Sequence, residues 1–196
     1  MTLTARSSLE VVVEAVGAAL ERAGIRAVLV GGACAAIYAG GAYMSEDLDL
    51  IIQSAPSQRQ LDDAMAEIGF TRRASQYFHD KTDFFVEFPR GPLAIGRDVR
   101  IEPIRLKIGR GRVLAISPTD SCRDRLAAFY HWGDRQSLDV AVKIALSNRV
   151  LMTRIRTWSA GEDALQKFEE FEKELERARR RKGRPRGSNA RIRRKR

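Results

Sequence analysis

The stretch "VLVGGACAAIYAGGAYMSEDLDLII", residues 28 to 52, constrains this chain more than any other. A hydrophobic run breaks on Gly31-Gly32, passes through small residues, and resumes carrying acids at alternate positions, Asp47 and Asp49. In a strand, residues i and i+2 point to the same side, so "DLDL" sets two carboxylates side by side and turns Leu48 and Leu50 into a core. A buried strand excludes carboxylates unless they are paired or bind a cation. Something positively charged is therefore expected opposite them.

Two carboxylates held on one strand face repel, and divalent cations between them make the arrangement favourable. With few nitrogen or sulfur ligands nearby, oxygen donors suit Mg²⁺ or Mn²⁺ rather than Zn²⁺. Gly31-Gly32, at a strand end before a helix, lets the backbone approach a ligand and aims free N–H groups at an anion. A nucleoside triphosphate (NTP) bridged by the cation to Asp47 and Asp49 satisfies both halves, and Ser45 adds a hydroxyl for a phosphate oxygen.

Leu9, Val12, Val13, Val16, Ala19 and Leu20 recur at helical spacing, with Gly24 as a stop. "IRAVLV" reads as a strand, "ACAAIYA" as a short helix, "LDLII" as a second strand, and "SQRQLDDAMAEIGF" as a helix closed by Gly69. "DFFVEF" is a third strand, with Glu87 facing away from Val86 and Phe88. "VRIEPIRLKI" and "RVLAI" flank the turn "GRG", and Pro103 assigns the first of them to an edge or a bend. Helical segments follow at 119 to 132 and 135 to 147, broken near Gly133. "SAGE", 159 to 162, reads as a capping box opening a helix with Leu165, Phe168, Phe171 and Leu175 on one stripe. The fold class is α+β, a small mixed β-sheet with flanking helices and a C-terminal helical section. The expected units are 1–117, 118–176 and a disordered basic tail, 177–196.

The net charge of +10 must be located before it means anything. Residues 177 to 196 hold 12 of the 35 Lys and Arg and no acid, which leaves 23 bases against 25 acids and a net −2 elsewhere. Such segregation points to an appended polyanion-binding segment, with Arg180, Arg181, Lys182, Arg184, Arg186, Arg193 and Arg194 as candidate nucleic-acid contacts, to RNA or DNA. "KGRPRG", 182 to 187, resembles the AT-hook, a short extended segment of the A·T-rich minor groove; nonspecific phosphate binding by counterion release is the simpler reading. The tail lacks apolar anchors, so a membrane role is not expected. Cys34 and Cys122 lie far apart, and with His79 and His131 they form no zinc pattern. The N-terminus lacks a signal-peptide layout and no apolar run is long enough to span a bilayer, so a cytoplasmic protein is expected.

A strand ending in Gly-Gly, a helix, then Asp-hydrophobic-Asp-hydrophobic resembles the nucleotidyltransferase superfamily of the DNA polymerase β type. The 14 residues between Gly32 and Asp47 are slightly more than is usual there. The resemblance implies a third acid on a later strand. Glu87 is the candidate, with Asp83 and Glu102 as alternatives. The chain further resembles the AbiEii group of toxin-type nucleotidyltransferases through the neighbourhood of Ala33, through Ser45, and through "DRLAAFYHWGDRQSLD", 124 to 139. There Arg125 stands where a lysine is usual and Asp134 matches a later acid, while Tyr43 replaces an arginine often seen two before the Ser.

The resemblance covers about residues 25 to 145. It implies transfer of a nucleoside monophosphate (NMP) from an NTP to an acceptor hydroxyl, with Asp47, Asp49 and Glu87 as catalytic and metal-binding residues. Gly31, Gly32, Ser45 and Arg125 are its nucleotide-binding residues. The implied acceptor is an RNA, tRNA-like 3′ end in a toxin–antitoxin setting, with a cognate antitoxin or toxin as possible partner. Nucleotidylation of a partner protein, or an inactive nucleic-acid-binding regulator on the same fold, are the alternatives. Tyr130 and Trp132 read as core or groove residues, and His79 and His131 as ordinary polar residues.

Overall fold

The computed structural model describes residues 2–183. Its elements are α1 (Leu9–Arg22), β1 (Ala27–Val30), α2 (Gly31–Tyr38), β2 (Asp47–Ile52), α3 (Gln58–Ala66), β3 (Phe70–Arg73), β4 (Gln76–His79), β5 (Thr82–Glu87), β6 (Ile104–Ile108), β7 (Gly111–Ala115), α4 (Pro118–Trp132), α5 (Arg135–Ser147), α6 (Met152–Gly161) and α7 (Leu165–Gly183). The seven strands form one mixed sheet in the order β3-β4-β5-β2-β1-β7-β6. β2 lies antiparallel to β1 and parallel to β5, while β1 meets β7 in parallel. This is the expected mixed sheet with flanking helices.

Strand alternation sorts the side chains. Leu29, Leu48, Leu50 and Val86 are buried, and they join one cluster with Val12, Val13, Val16 and Leu20 of α1 and Leu61 and Met65 of α3. Each such side chain contributes on the order of 1.5–3 kcal/mol by leaving water. Gly17 brings α1 close to the sheet, because a Cβ there would overlap Val113. Helix starts follow the capping chemistry: Ser57 accepts from Gln60 N–H (3.1 Å) and Ser117 from Asp120 N–H (3.1 Å), with Pro118 opening α4. Gly133, at φ +68°, ends α4 in the left-handed region, and Asp134 caps α5.

Three expectations need correction. The hairpin β3–β4 was not foreseen, since "FTRR" buries only Phe70 and Ala74, rather than glycine, takes the positive φ of the turn. Ser159 is not a helix cap but lies inside α6, fully buried. Its hydroxyl donates to Ile155 O (2.8 Å) and lies 2.8 Å from the Tyr130 hydroxyl. Glu162, the supposed partner in that cap, accepts instead from Arg97 N–H at 2.7 Å. Finally, α7 continues to Gly183, so residues 177 to 183 are helical. The Arg177–Glu174 and Arg180–Glu176 pairs, at 2.7 and 3.5 Å, tie them to the preceding turn. Pro103 does precede an edge strand, β6.

Candidate active site

Val30 is the last residue of β1, and Gly31 starts α2 at φ +63°. Only glycine takes that conformation without strain. Space makes the same demand: a Cβ on Gly31 would overlap the Asp49 carboxylate, and one on Gly32 would overlap Ser45 Oγ and come within 3.5 Å of Asp47 Oδ1. The glycine pair is thus laid directly against Asp47, Asp49 and Ser45. Across the sheet, Asp49 is opposite Val30 on one side and opposite Glu87 on the other, and Asp47 is opposite Phe85.

The three acids are half-buried, while Ser45 is buried and donates its hydroxyl to Asp47. Burial raises the Asp49 carboxyl to about 6, and the charges of Asp47, Glu87 and Asp124 add to the rise, against the opposing pull of Arg125. Like charges crowd this corner, as two carboxylates on one strand face demand. Glu87 is held by Gln76, its cross-strand neighbour, whose side-chain N–H donates to it. The donor set is all oxygen and suits a hard divalent cation. Among the described residues, no three Asp, Glu, His or Cys side chains are gathered closely enough to enclose a metal by themselves.

The sequence reading missed Asp124. It stands beside Arg125 on α4, and the Arg125 guanidinium donates to its Oδ2 from Nη2 (2.6 Å) and Nε (3.1 Å). Both side chains are largely buried, and both act electrostatically on Asp49. The available signal was the pairing itself, an acid next to the arginine already assigned to the nucleotide. Arg125 also feels Tyr43, in the loop between α2 and β2. Lys143 of α5 fastens that loop by donating to Ala42 O at 2.9 Å. It too went unnoticed in the sequence.

Other candidates fall elsewhere. Asp134 caps α5, accepting from the Gln136 and Ser137 N–H groups (2.9 and 3.3 Å) and the Ser137 hydroxyl (2.6 Å), which hold its carboxyl below the usual range. Asp83 and Glu102 are exposed, and neither is among the charges acting on Asp49. His79 packs edge-on against Phe70 and accepts from Lys81 N–H, and His131 lies 3.6 Å from Glu162. Tyr130 is a core residue stacked on Trp158, whereas Trp132 is 81% exposed, contrary to expectation. Arg180, Arg181 and Lys182 are exposed at the end of α7; Arg184, Arg186, Arg193 and Arg194, with most of the AT-hook-like segment, lie outside the described residues. Among the described residues no helix is long and apolar enough to cross a membrane.

The sheet order and the helices around it define a nucleotidyltransferase-like fold. The chain resembles the crystal structure of an antigenic nucleotidyltransferase-like protein from Paracoccidioides brasiliensis, with a TM-score of 0.52, 19% identity, and 72% of this chain covering 77% of that one. The solution structure of the antibiotic-resistance factor ANT(2'')-Ia aligns with a TM-score of 0.46 and 14% identity, over 79% of this chain and 94% of that one. No protein-family model and no curated protein sequence matches the chain.

Proposed function

We propose that this chain is a metal-dependent nucleotidyltransferase that moves an NMP from an NTP to the 3′ hydroxyl of an RNA, in the manner of the AbiEii-type toxins. One observation carries the proposal: the Gly31-Gly32 turn is packed against Asp49, Asp47 and Ser45 so tightly that a Cβ on either glycine would displace the Asp49 or Ser45 side chain. The turn puts backbone N–H groups at a helix start beside a crowd of carboxylates, the two halves that a cation-bound triphosphate requires.

Asp47, Asp49 and Glu87 would hold Mg²⁺ or Mn²⁺, which when bound neutralises the triphosphate and lowers the pKa of the acceptor hydroxyl. The Gly31 and Gly32 N–H groups and the Ser45 hydroxyl seat the β- and γ-phosphates. Arg125, kept in place by Asp124, adds positive charge where the triphosphate gathers negative charge. The acceptor oxygen bonds to the α-phosphorus, the bond to the α,β-bridging oxygen breaks, and pyrophosphate leaves. Glu87 takes the acceptor proton, exchanging its hydrogen bond from Gln76 for that role.

The basic C-terminal residues favour a polyanionic acceptor, and the cytoplasm is the compartment that holds both NTP and RNA. The test supplies each NTP, labelled at the α-phosphorus, with Mg²⁺ and a mixture of total RNA and cell protein, beside an Asp49→Ala control. Label on RNA in the wild type alone is the expected result. Label on a protein band instead would replace RNA with a partner protein as acceptor. No label with any nucleotide would sink the enzyme reading in favour of a nucleic-acid-binding regulator.

A further inference from the structure

The hairpin β6–β7 carries four cations between Ile104 and Leu114, namely Arg105, Lys107, Arg110 and Arg112, and no acid. All four are exposed. Lys107 is directly opposite Arg112 across the ladder, a like-charge pair that costs folding energy and that nothing in the core requires. Among the described residues, no carboxylate lies within ion-pair distance of Lys107, Arg110, Arg112 or Arg26. Arg105 has only Glu21, at 3.8 Å, and the Glu14 carboxylate takes the backbone N–H of Arg110 rather than its guanidinium. On the strand and helix at the other edge of the sheet, three arginines are paired: Arg59 with Asp63, Arg72 with Asp62 and Arg73 with Asp80.

Two of the unpaired cations, Arg26 and Arg112, border a concavity together with Arg105. β1 and β7 share a single paired position, Leu29 with Ala115, and before it they part to leave a crevice of about 240 Å³. Arg26, Arg105 and Arg112 line it together with one acid, Glu21, over a floor that includes Leu20, Ile25 and Leu50. Alternation along β7 places Arg112 on the face opposite Val113 and Ala115. Ala115 registers with Leu29 and Leu29 with Leu50, while Arg112 registers with Lys107, so Arg112 and Lys107 share the sheet face of Asp47 and Asp49. Two strand spacings across and about four residues along separate Arg112 from Asp49, roughly 16 Å. A strand whose end lies at the aspartates reaches Arg112 and Lys107 after a few nucleotides.

We infer that Arg26, Arg105, Lys107 and Arg112 form a docking surface for the phosphodiester backbone of a nucleic-acid strand, distinct from the basic C-terminus. The inference deepens the acceptor half of the proposed reaction and rests on it for the choice of a strand. Its test needs no turnover, so the two can fail separately.

Binding of a short fluorescent single-stranded RNA to the full chain is followed by anisotropy from about 50 to 200 mM salt, without NTP or divalent cation. One variant carries Arg26→Gln, Lys107→Gln and Arg112→Gln. A control of equal charge change carries Arg59→Gln, Arg72→Gln and Arg73→Gln. Loss of three phosphate contacts makes the slope of log K against log salt shallower by about 2, with binding at the low-salt end weakened about tenfold or more. The control is expected to bind within about twofold of wild type; both variants keep the wild-type circular dichroism, and the first melts no lower than wild type because it loses the Lys107–Arg112 repulsion. Equal losses in both variants would reduce the effect to net charge and overturn the inference, as would unchanged binding in the first. Displacement of the RNA by inorganic phosphate at constant ionic strength would also overturn it, in favour of a small-anion site. Duplex DNA of equal length, run in parallel, assigns the strand type.

Discussion

Asp49 should be a residue whose charge destabilises the protein that uses it. Burial and the charges of Asp47, Glu87 and Asp124 raise its carboxyl from the ordinary 3.8 to about 6. In the folded chain it therefore holds a proton more tightly than in the unfolded chain. Stability is greatest below pH 3.8 as far as this group is concerned, and is lost as pH rises through 6. A shift of about 2 units corresponds to about 3 kcal/mol at 1.36 kcal/mol per unit. Asp49 is only half-buried, so solvent screening reduces the figure to about 1–2 kcal/mol. Asp49→Asn keeps the shape and removes the charge. At pH 7.5 in chelator, the variant is expected to be more stable than wild type by that amount, roughly 2–8 °C in Tm, with the advantage fading towards pH 4. Mg²⁺ should raise the Tm of the wild type and leave the variant unmoved. Thermal melts and urea titrations at both pH values decide the matter. An Asn variant less stable than wild type at pH 7.5 would refute the crowding of carboxylates on which the reasoning rests.

Gly31→Ala should lose about 1–3 kcal/mol in urea unfolding and most of any transfer activity, because φ +63° and the Asp49 carboxylate both oppose a Cβ there. Arg125→Gln should weaken NTP binding about tenfold to a hundredfold, the range of a charge-assisted hydrogen bond, measured by equilibrium binding of a non-hydrolysable NTP analogue, and should cost about 1–3 kcal/mol in urea unfolding because Asp124 loses its partner. Arg123 is 1% exposed, donates to Asp98 (2.6 Å) and Asp120 (2.8 Å), and lies over the Trp158 ring. Arg123→Met takes the ion-pair partner from Asp98 and leaves Asp120 with Arg154 at 3.4 Å, and should cost about 3–5 kcal/mol by urea titration. Trp132→Ala should move stability by no more than about 0.5 kcal/mol, whereas Trp158→Ala should cost about 3–5 kcal/mol.

The elements with a clear period were legible from the residues. The spacing of Leu9 to Leu20 marks α1, the alternation in "DLDLII" marks β2, and Gly133 marks the break between α4 and α5. Where the period blurs, reading failed. β3 buries only its first residue, and the pairing of Phe70 with His79 and Arg73 with Gln76 comes from the neighbouring strand rather than from any local pattern. Ser159 shows the same failure from the other side. A cap signature of four residues was outweighed by a buried position in which its hydroxyl meets Ile155 and Tyr130.

The candidate site divides in the same way. Gly31, Gly32, Ser45, Asp47 and Asp49 lie within 19 residues; strand alternation aligns Asp47 with Asp49, and the antiparallel register of β1 and β2, Val30 opposite Asp49, brings the glycines against them. Backbone geometry acts over a few residues, so the sequence alone determines that Asp47 and Asp49 share one strand face and that glycines end β1. Glu87 opposite Asp49 depends on a parallel pairing across 38 positions, and the Asp124–Arg125 pair depends on how α4 packs beyond the sheet. Lys143 reaches Ala42 O across 101 positions. Which charges face one another across such separations is fixed by burial of the apolar faces that carry the elements together, and only the tertiary structure records that choice.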